Sequence, residues 1–169
     1  LAFKCNAFAG RHNALEYAID SIAEAGFRNI GLVFDRPYLW LEDTTPQKIA
    51  LLARLLTKFN LSVASVSSCT ASGYSRSRDD LAPPGQRFGP SFASKDPAER
   101  RLRVDHTKMV IDFAIELGCS CVDISTGYQP KDLDFATTWR HTKECLDAVC
   151  AYADRKCVWI NIEYEPGTF

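Results

Sequence analysis

The chain has 169 residues, 46% of them hydrophobic and 24% charged, with a formal net charge of -1 and an isoelectric point near 6.3. That composition fits a soluble globular chain with room for one core, and it argues against a nucleic-acid or anionic-membrane binder that works through a broad basic field. No apolar run reaches the ~18 to 20 residues needed to span a bilayer, and Leu1 to Gly10 lack a leader pattern, so a cytoplasmic location is expected. The seven cysteines are odd in number and have no CxxC or zinc-ribbon spacing, so they read as reduced, half-buried apolar residues.

In chain order, Ala2 to Asn6 reads as a short strand. Asn13 with Glu16 three residues on is a capping-box pattern, and Leu15, Ala18, Ile19, Ile22 and Ala23 repeat at helical spacing until Gly26. Asn29 to Phe34 is a second strand, closed by Asp35-Arg36-Pro37. Thr45-Pro46 opens a helix whose stripe is Ile49, Leu52, Ala53, Leu56 and Phe59. Leu61 to Val66 is the third strand.

The Ser, Arg, Gly and Pro-rich stretch from Ser67 to Lys95 is too long for a plain connection and reads as a lid. Asp96-Pro97-Ala98-Glu99 then supplies cap, first-turn proline and box acid to a long helix carrying Leu102, Met109, Val110, Phe113, Ala114 and Leu117, stopped at Gly118. Cys121 to Ser125 is the fourth strand. A helix from about Phe135 to Arg155 is expected to pack through Leu146, Val149, Cys150 and Ala153, and Val158 to Ile162 is the fifth strand.

Strand and helix alternate throughout, which demands a mainly parallel sheet with right-handed crossovers. An open doubly wound sheet should carry a phosphate-binding signature after its first strand, and Ala7 to His12 is not a GxGxxG loop. The expectation is therefore an α/β chain of the (β/α) barrel type: the first five parallel strands and four helices of an eight-stranded barrel, one domain over residues 1–169, incomplete at its C-terminal side. A chain that starts without Met and stops just after a strand reads as a fragment, or as a half-barrel completed by a partner. Polar residues stand at nearly every strand end, where such barrels do their chemistry: Asn6, Asp35, Ser67, Ser68, Ser125, Thr126, Glu163 and Glu165. Alternation places Glu163 and Glu165 on one face.

Asp96 to Arg100 leading into Ile111 to Gly118, then Val122 to Gly127, then Ile162-Glu163-Tyr164-Glu165-Pro166-Gly167, resembles the sugar phosphate isomerase/epimerase group of xylose isomerase-like TIM barrels over essentially the whole chain. The I-E-x-E-P-G ending is the more telling part. The resemblance implies a divalent metal (Mn, Mg, Co or Zn) held at the barrel mouth, and proton transfer between adjacent carbons of a sugar, sugar phosphate or keto acid. On it, Glu163 falls on the fifth-strand glutamate that ligates the metal and takes part in catalysis. Glu165, Asp35, Asn6, His12 and Trp40 are expected to contact substrate, with Trp40 either stacking on a sugar ring or closing the top of the core. The chain departs from the group at Tyr38 and at Gly89-Pro90-Ser91, each of which has no histidine where the group carries one. Further ligands, an Asp, a His and a Glu, are expected beyond Phe169.

Isomerisation next to a carbonyl needs removal of a carbon-bound proton and stabilisation of an enediolate, tasks that suit carboxylates and a hard divalent ion. The lid residues Arg76, Ser77, Arg78 and Arg87 are placed to meet a phosphate or carboxylate. Arg100, Arg101 and Arg103 read as a solvated helix face pointing away from the strand ends, and His106 and His141 as structural residues. Each site residue also has a plain reading as a solvated or turn-forming polar group. Two other functions compete: a repair endonuclease with a trinuclear metal site, disfavoured because the third strand ends in Ser67-Ser68-Cys69 without histidine, and a non-catalytic, degenerate barrel that binds a ligand or serves an assembly. The expected partner is a small sugar or sugar phosphate, with no nucleic acid and no membrane; self-association stays open.

Overall fold

The computed structural model describes residues 1–8, 14–36, 38–70, 89–164, 166 and 168–169, without the side chains of Asn6, Phe8 and Ala14. Five strands, β1 (Phe3–Lys4), β2 (Asn29–Val33), β3 (Ser62–Ser68), β4 (Cys121–Ile124) and β5 (Trp159–Ile162), form one sheet in sequence order with every pairing parallel. The four helices are α1 (Ala14–Glu24), α2 (Pro46–Lys58), α3 (Pro97–Glu116) and α4 (Phe135–Arg155). Sequential strand order with helical crossovers is the topology of a (β/α) barrel wall. The sheet is curled: β1 and β5 are its two edges, yet the Lys4 ammonium reaches the Glu163 carboxylate just past β5 at 3.1 Å. The share of the barrel expected from the sequence is the architecture found. Among the described residues no helix is long and apolar enough to cross a membrane.

The two faces of this sheet differ by alternation. Ile30, Leu32, Phe34, Val66, Val122 and Ile124 point outward and are buried against Ile19, Ile22, Leu52, Leu56, Val110, Phe113, Val149 and Ala153 of the helices. The caps predicted from sequence hold two of those helices. Thr45 accepts from the Lys48 N–H at 3.4 Å and Asp96 from the Ala98 N–H at 2.8 Å, each ahead of a first-turn proline.

Several expectations need correcting. The first strand is shorter than Ala2 to Asn6, because Cys5–Phe8 turns into 3-10 helix, and the third runs on to Ser68. Cys150 is exposed, and Cys145 takes its place in the buried face of α4. Glu99 does not close a box: the Asp96 N–H donates to Ser94 Oγ, while the Glu99 carboxylate accepts from the Ser91 N–H (3.0 Å), Ser94 Oγ (2.5 Å) and Tyr128 hydroxyl (3.0 Å).

The largest correction concerns α3. Leu102 is exposed, and the buried face of the first turns is Arg103, His106 and Thr107. Arg103 is 0% exposed and points at the strand ends, not away: it donates to the carbonyls of Ser68 and Ser125 at 3.0 Å each and to Thr70 Oγ1 at 2.7 Å, over the Phe92 ring. The reason is geometric. In a β/α unit the helix starts at the end where its strand stops, so an inward arginine in the first turns lies level with the strand C-termini. His141 lies in α4 and His106 sits between Trp40 and Phe34, both within the helical layer as expected.

Candidate active site on the concave face of the sheet

The inner face is mainly polar where the outer one is apolar, with Val33 and Trp159 as its apolar positions. Alternation from Gly31 points Ser65, Ser67, Cys121, Asp123, Asn161 and Glu163 to the same concave side as Lys4, and the hydrogen bonds among them agree. Asp123 is the hub: its Oδ2 accepts from Ser65 Oγ at 2.8 Å and from Ser67 Oγ at 3.4 Å, and its Oδ1 from the Asn161 side-chain amide at 3.1 Å. That amide also meets Cys121 Sγ at 3.0 Å.

Glu163 follows β5 directly, and its N–H donates to the Ile124 carbonyl at 2.7 Å, which extends the ladder by one residue and fixes the side chain on the Asn161 side. Lys4 Nζ donates to both of its carboxylate oxygens, at 3.1 and 3.3 Å, and stands 3.6 Å from Asp123 Oδ2. Burial lowers the lysine's affinity for its proton, but Glu163 and Asp123 outweigh it, so Lys4 titrates above the usual lysine range. Glu163 is 44% exposed at its side chain, so the ion pair itself contributes no more than about 1 kcal/mol.

The glycine at position 31 makes room for this arrangement. A Cβ there would stand 2.9 Å from Lys4 Cγ, so only a bare backbone lets the lysine stem cross β2 toward β4 and β5.

Of the residues expected at the site, Glu163 is on the concave face at the C-terminal end of β5. Asp35 follows β2, is 4% exposed, and accepts from the Arg36 N–H at 2.9 Å. Trp40 is 5% exposed and lies on the other side, in the helical layer against Phe34 and His106, where its ring closes the core and is not presented to a ligand. Asn6 lies in the 3-10 turn after β1, with its side chain outside the described residues, as are Glu165, His12 and the lid residues Arg76, Ser77, Arg78 and Arg87. Tyr38 is buried.

The end of the lid segment is built in firmly. Ser91 Oγ donates to the Tyr128 carbonyl at 2.7 Å, and Phe92 N–H to the Thr126 carbonyl at 3.0 Å. A Cβ on Gly127, which has φ of +90°, would meet Ser91 Cα at 2.7 Å.

Sequence reasoning missed Lys4, Ser65, Asp123 and Asn161. For Ser65, Asp123 and Asn161 a signal was available: polar residues recur at every second position of Ser65/Ser67, Cys121/Asp123 and Asn161/Glu163, next to apolar Val66, Val122 and Ile162. Among the described residues no group of three or more His, Cys, Asp or Glu side chains is arranged to hold a metal. The two carboxylates do offer the hard oxygen donors that a divalent cation prefers, so the residues present fit part of such a ligand set.

In sequence, the chain matches the family model of the xylose isomerase-like TIM barrel over residues 19–169. No curated protein matches it. Among solved structures it is similar to an AP endonuclease, family 2, from Brucella melitensis (20% identity, TM-score 0.70, covering 99% of this chain and 58% of that one). It is likewise similar to an L-ribulose 3-epimerase (20% identity, TM-score 0.71, covering 100% and 51%). A third is a D-allulose 3-epimerase from Methylomonas sp. in complex with D-allulose (18% identity, TM-score 0.71, covering 99% and 52%). At these identities the likeness is one of fold, and the chain spans a little over half the length of these structures. With the sheet order, the crossovers and the family model in agreement, the chain belongs to the xylose isomerase-like TIM barrel family.

Proposed function

We propose that this chain supplies part of the active site of a divalent-metal-dependent isomerase or epimerase that acts on a sugar, sugar phosphate or related keto acid through an enediolate. The observation that carries the reading is the position of Glu163: at the C-terminal end of β5, on the concave face, beside Asp123, Asn161 and Lys4. Glu163 would hold the cation (Mn, Mg, Co or Zn) and take part in proton transfer. A divalent ion, when bound, polarises carbonyl and hydroxyl oxygens and stabilises the negative charge that forms on them.

The chain's own residues do the rest. Asp123, fixed by Ser65, Ser67 and Asn161, gives the site a second carboxylate of set orientation. Lys4 places a positive charge where an enediolate would develop negative charge. Asp35 lies at the end of β2, and Asn6, His12 and Glu165 are proposed to complete the substrate contacts, in a cytoplasmic protein whose partner is a small molecule. Trp40 supports the loop after β2 from behind.

A second reading, a barrel that binds a ligand without catalysis, is favoured by one observation: Tyr38 is buried, and Gly89 has no side chain while Ser91 two residues on is tied to main-chain carbonyls, so neither position offers an acid or base in place of its missing histidine. Incubating the full protein with ketoses and Mn2+ in D2O separates the two. The isomerase reading expects deuterium to enter at carbon next to the carbonyl, with loss of exchange in Glu163→Gln. Binding of the same ketoses without any exchange would leave only the second reading.

A further inference from the structure

We propose that Lys4 is an internal counter-cation of this site: its ammonium sets the resting orientation of Glu163 against Asp123, and it must withdraw before a divalent cation can take Glu163. The inference rests on the isomerase reading above for the identity of the incoming cation. Its basis is the geometry of the concave face.

Glu163 and Asp123 differ in how they are held. Asp123 is fixed from both sides by Ser65, Ser67 and Asn161, three neutral donors on β3 and β5. Both carboxylate oxygens of Glu163 face the Lys4 ammonium, at 3.1 and 3.3 Å. Lys4 comes from the opposite edge of the sheet and reaches this position only over the bare backbone of Gly31. Three features therefore agree: a glycine that clears the path, a lysine long enough to cross the face, and two acids at its end.

A divalent cation on Glu163 and an ammonium on the same oxygens would stand within a few ångströms of one another, and their repulsion weakens binding of the newcomer. The lysine has a place to go. Asp123 Oδ2 is already 3.6 Å from Nζ, and its other partners keep it in position when Lys4 swings away from Glu163. The resting protein thus keeps its acids neutralised without metal, and the same lysine sets the threshold for metal entry.

The test compares Mn2+ binding by calorimetry, and melting of the chelator-treated protein, for the full protein and its Lys4→Met, Lys4→Gln and Lys4→Arg variants. Loss of the charge should tighten Mn2+ binding roughly tenfold in Lys4→Met and Lys4→Gln, given one unit charge removed from within a few ångströms of a divalent ion. The metal-free forms of both variants should melt lower than the parent, because Glu163 and Asp123 then face each other without a cation. Lys4→Arg should bind Mn2+ as the parent does. The polar Gln variant serves where Met disturbs folding. Equal or weaker Mn2+ binding in the uncharged variants overturns the inference and leaves the isomerase reading standing. No Mn2+ binding by any of the four proteins overturns both.

Discussion

The two faces of one five-stranded sheet follow different rules. Outward, Ile30, Leu32, Phe34, Val66, Val122 and Ile124 meet the helices in a dry, apolar layer. Inward, Lys4, Ser65, Ser67, Asp123, Asn161 and Glu163 meet one another through hydrogen bonds and charge. A barrel interior that served only packing would be filled with branched apolar side chains. The polar filling instead keeps paired charged groups close together, which suits the proposed role in binding or chemistry. Folding energy resides on the outer face, and the proposed function on the inner one.

The largest effect that could break this division comes from the outer face. Phe34 is fully buried among Trp40, His106 and Phe113, so Phe34→Ala should cost about 3 to 5 kcal/mol in urea denaturation. Asn161→Ala on the exposed inner face should cost under about 1 kcal/mol. Comparable losses at the two positions would mean that the inner face is ordinary core.

A second effect reads the helical layer through pH. Burial, reinforced by the nearby Arg103 charge and opposed by a backbone contact at Cys69, lowers His106 from 6.5 to about 3. The folded protein thus holds it neutral where the unfolded chain would protonate it. Its contribution to stability is whole above pH 6.5 and declines as pH falls toward 3, by at most ~1.4 kcal/mol per pH unit. His106→Gln should flatten that part of the profile measured by denaturant titration at each pH; an unchanged slope would show that the ring is accessible to protons in the fold.

The smallest expected effect sharpens the inner face. Gly31→Ala places a methyl group 2.9 Å from Lys4 Cγ. It should lower stability by about 1 kcal/mol or less, since the displaced ion pair is half-exposed, and it should move the Lys4 and Glu163 side-chain NMR signals. Unmoved signals would mean that the lysine does not depend on that glycine.

The outer face was the legible one. Helical stripes such as Leu52 and Leu56, with caps at Thr45 and Asp96, state their elements because hydrophobic burial and capping act within a few residues of sequence. The start of α3 escaped the same reading. Its buried face is Arg103, His106 and Thr107, and a polar side chain gives no hydrophobic signal even when tertiary hydrogen bonds bury it completely. Glu163 was legible from its place at a strand end. Asp123 and Asn161 carry a strand-alternation signal, whereas Lys4 carries none, because contact between positions 4 and 163 depends on how the sheet curls, and no local pattern encodes that curl.

If Glu163 faces inward to bind a cation, Mn2+ titration of the full protein beside Glu163→Gln reads that role without any substrate. Loss of stoichiometric binding, with melting in the absence of metal changed by no more than a few degrees, is the predicted result. Unchanged affinity and stoichiometry in the variant would contradict it.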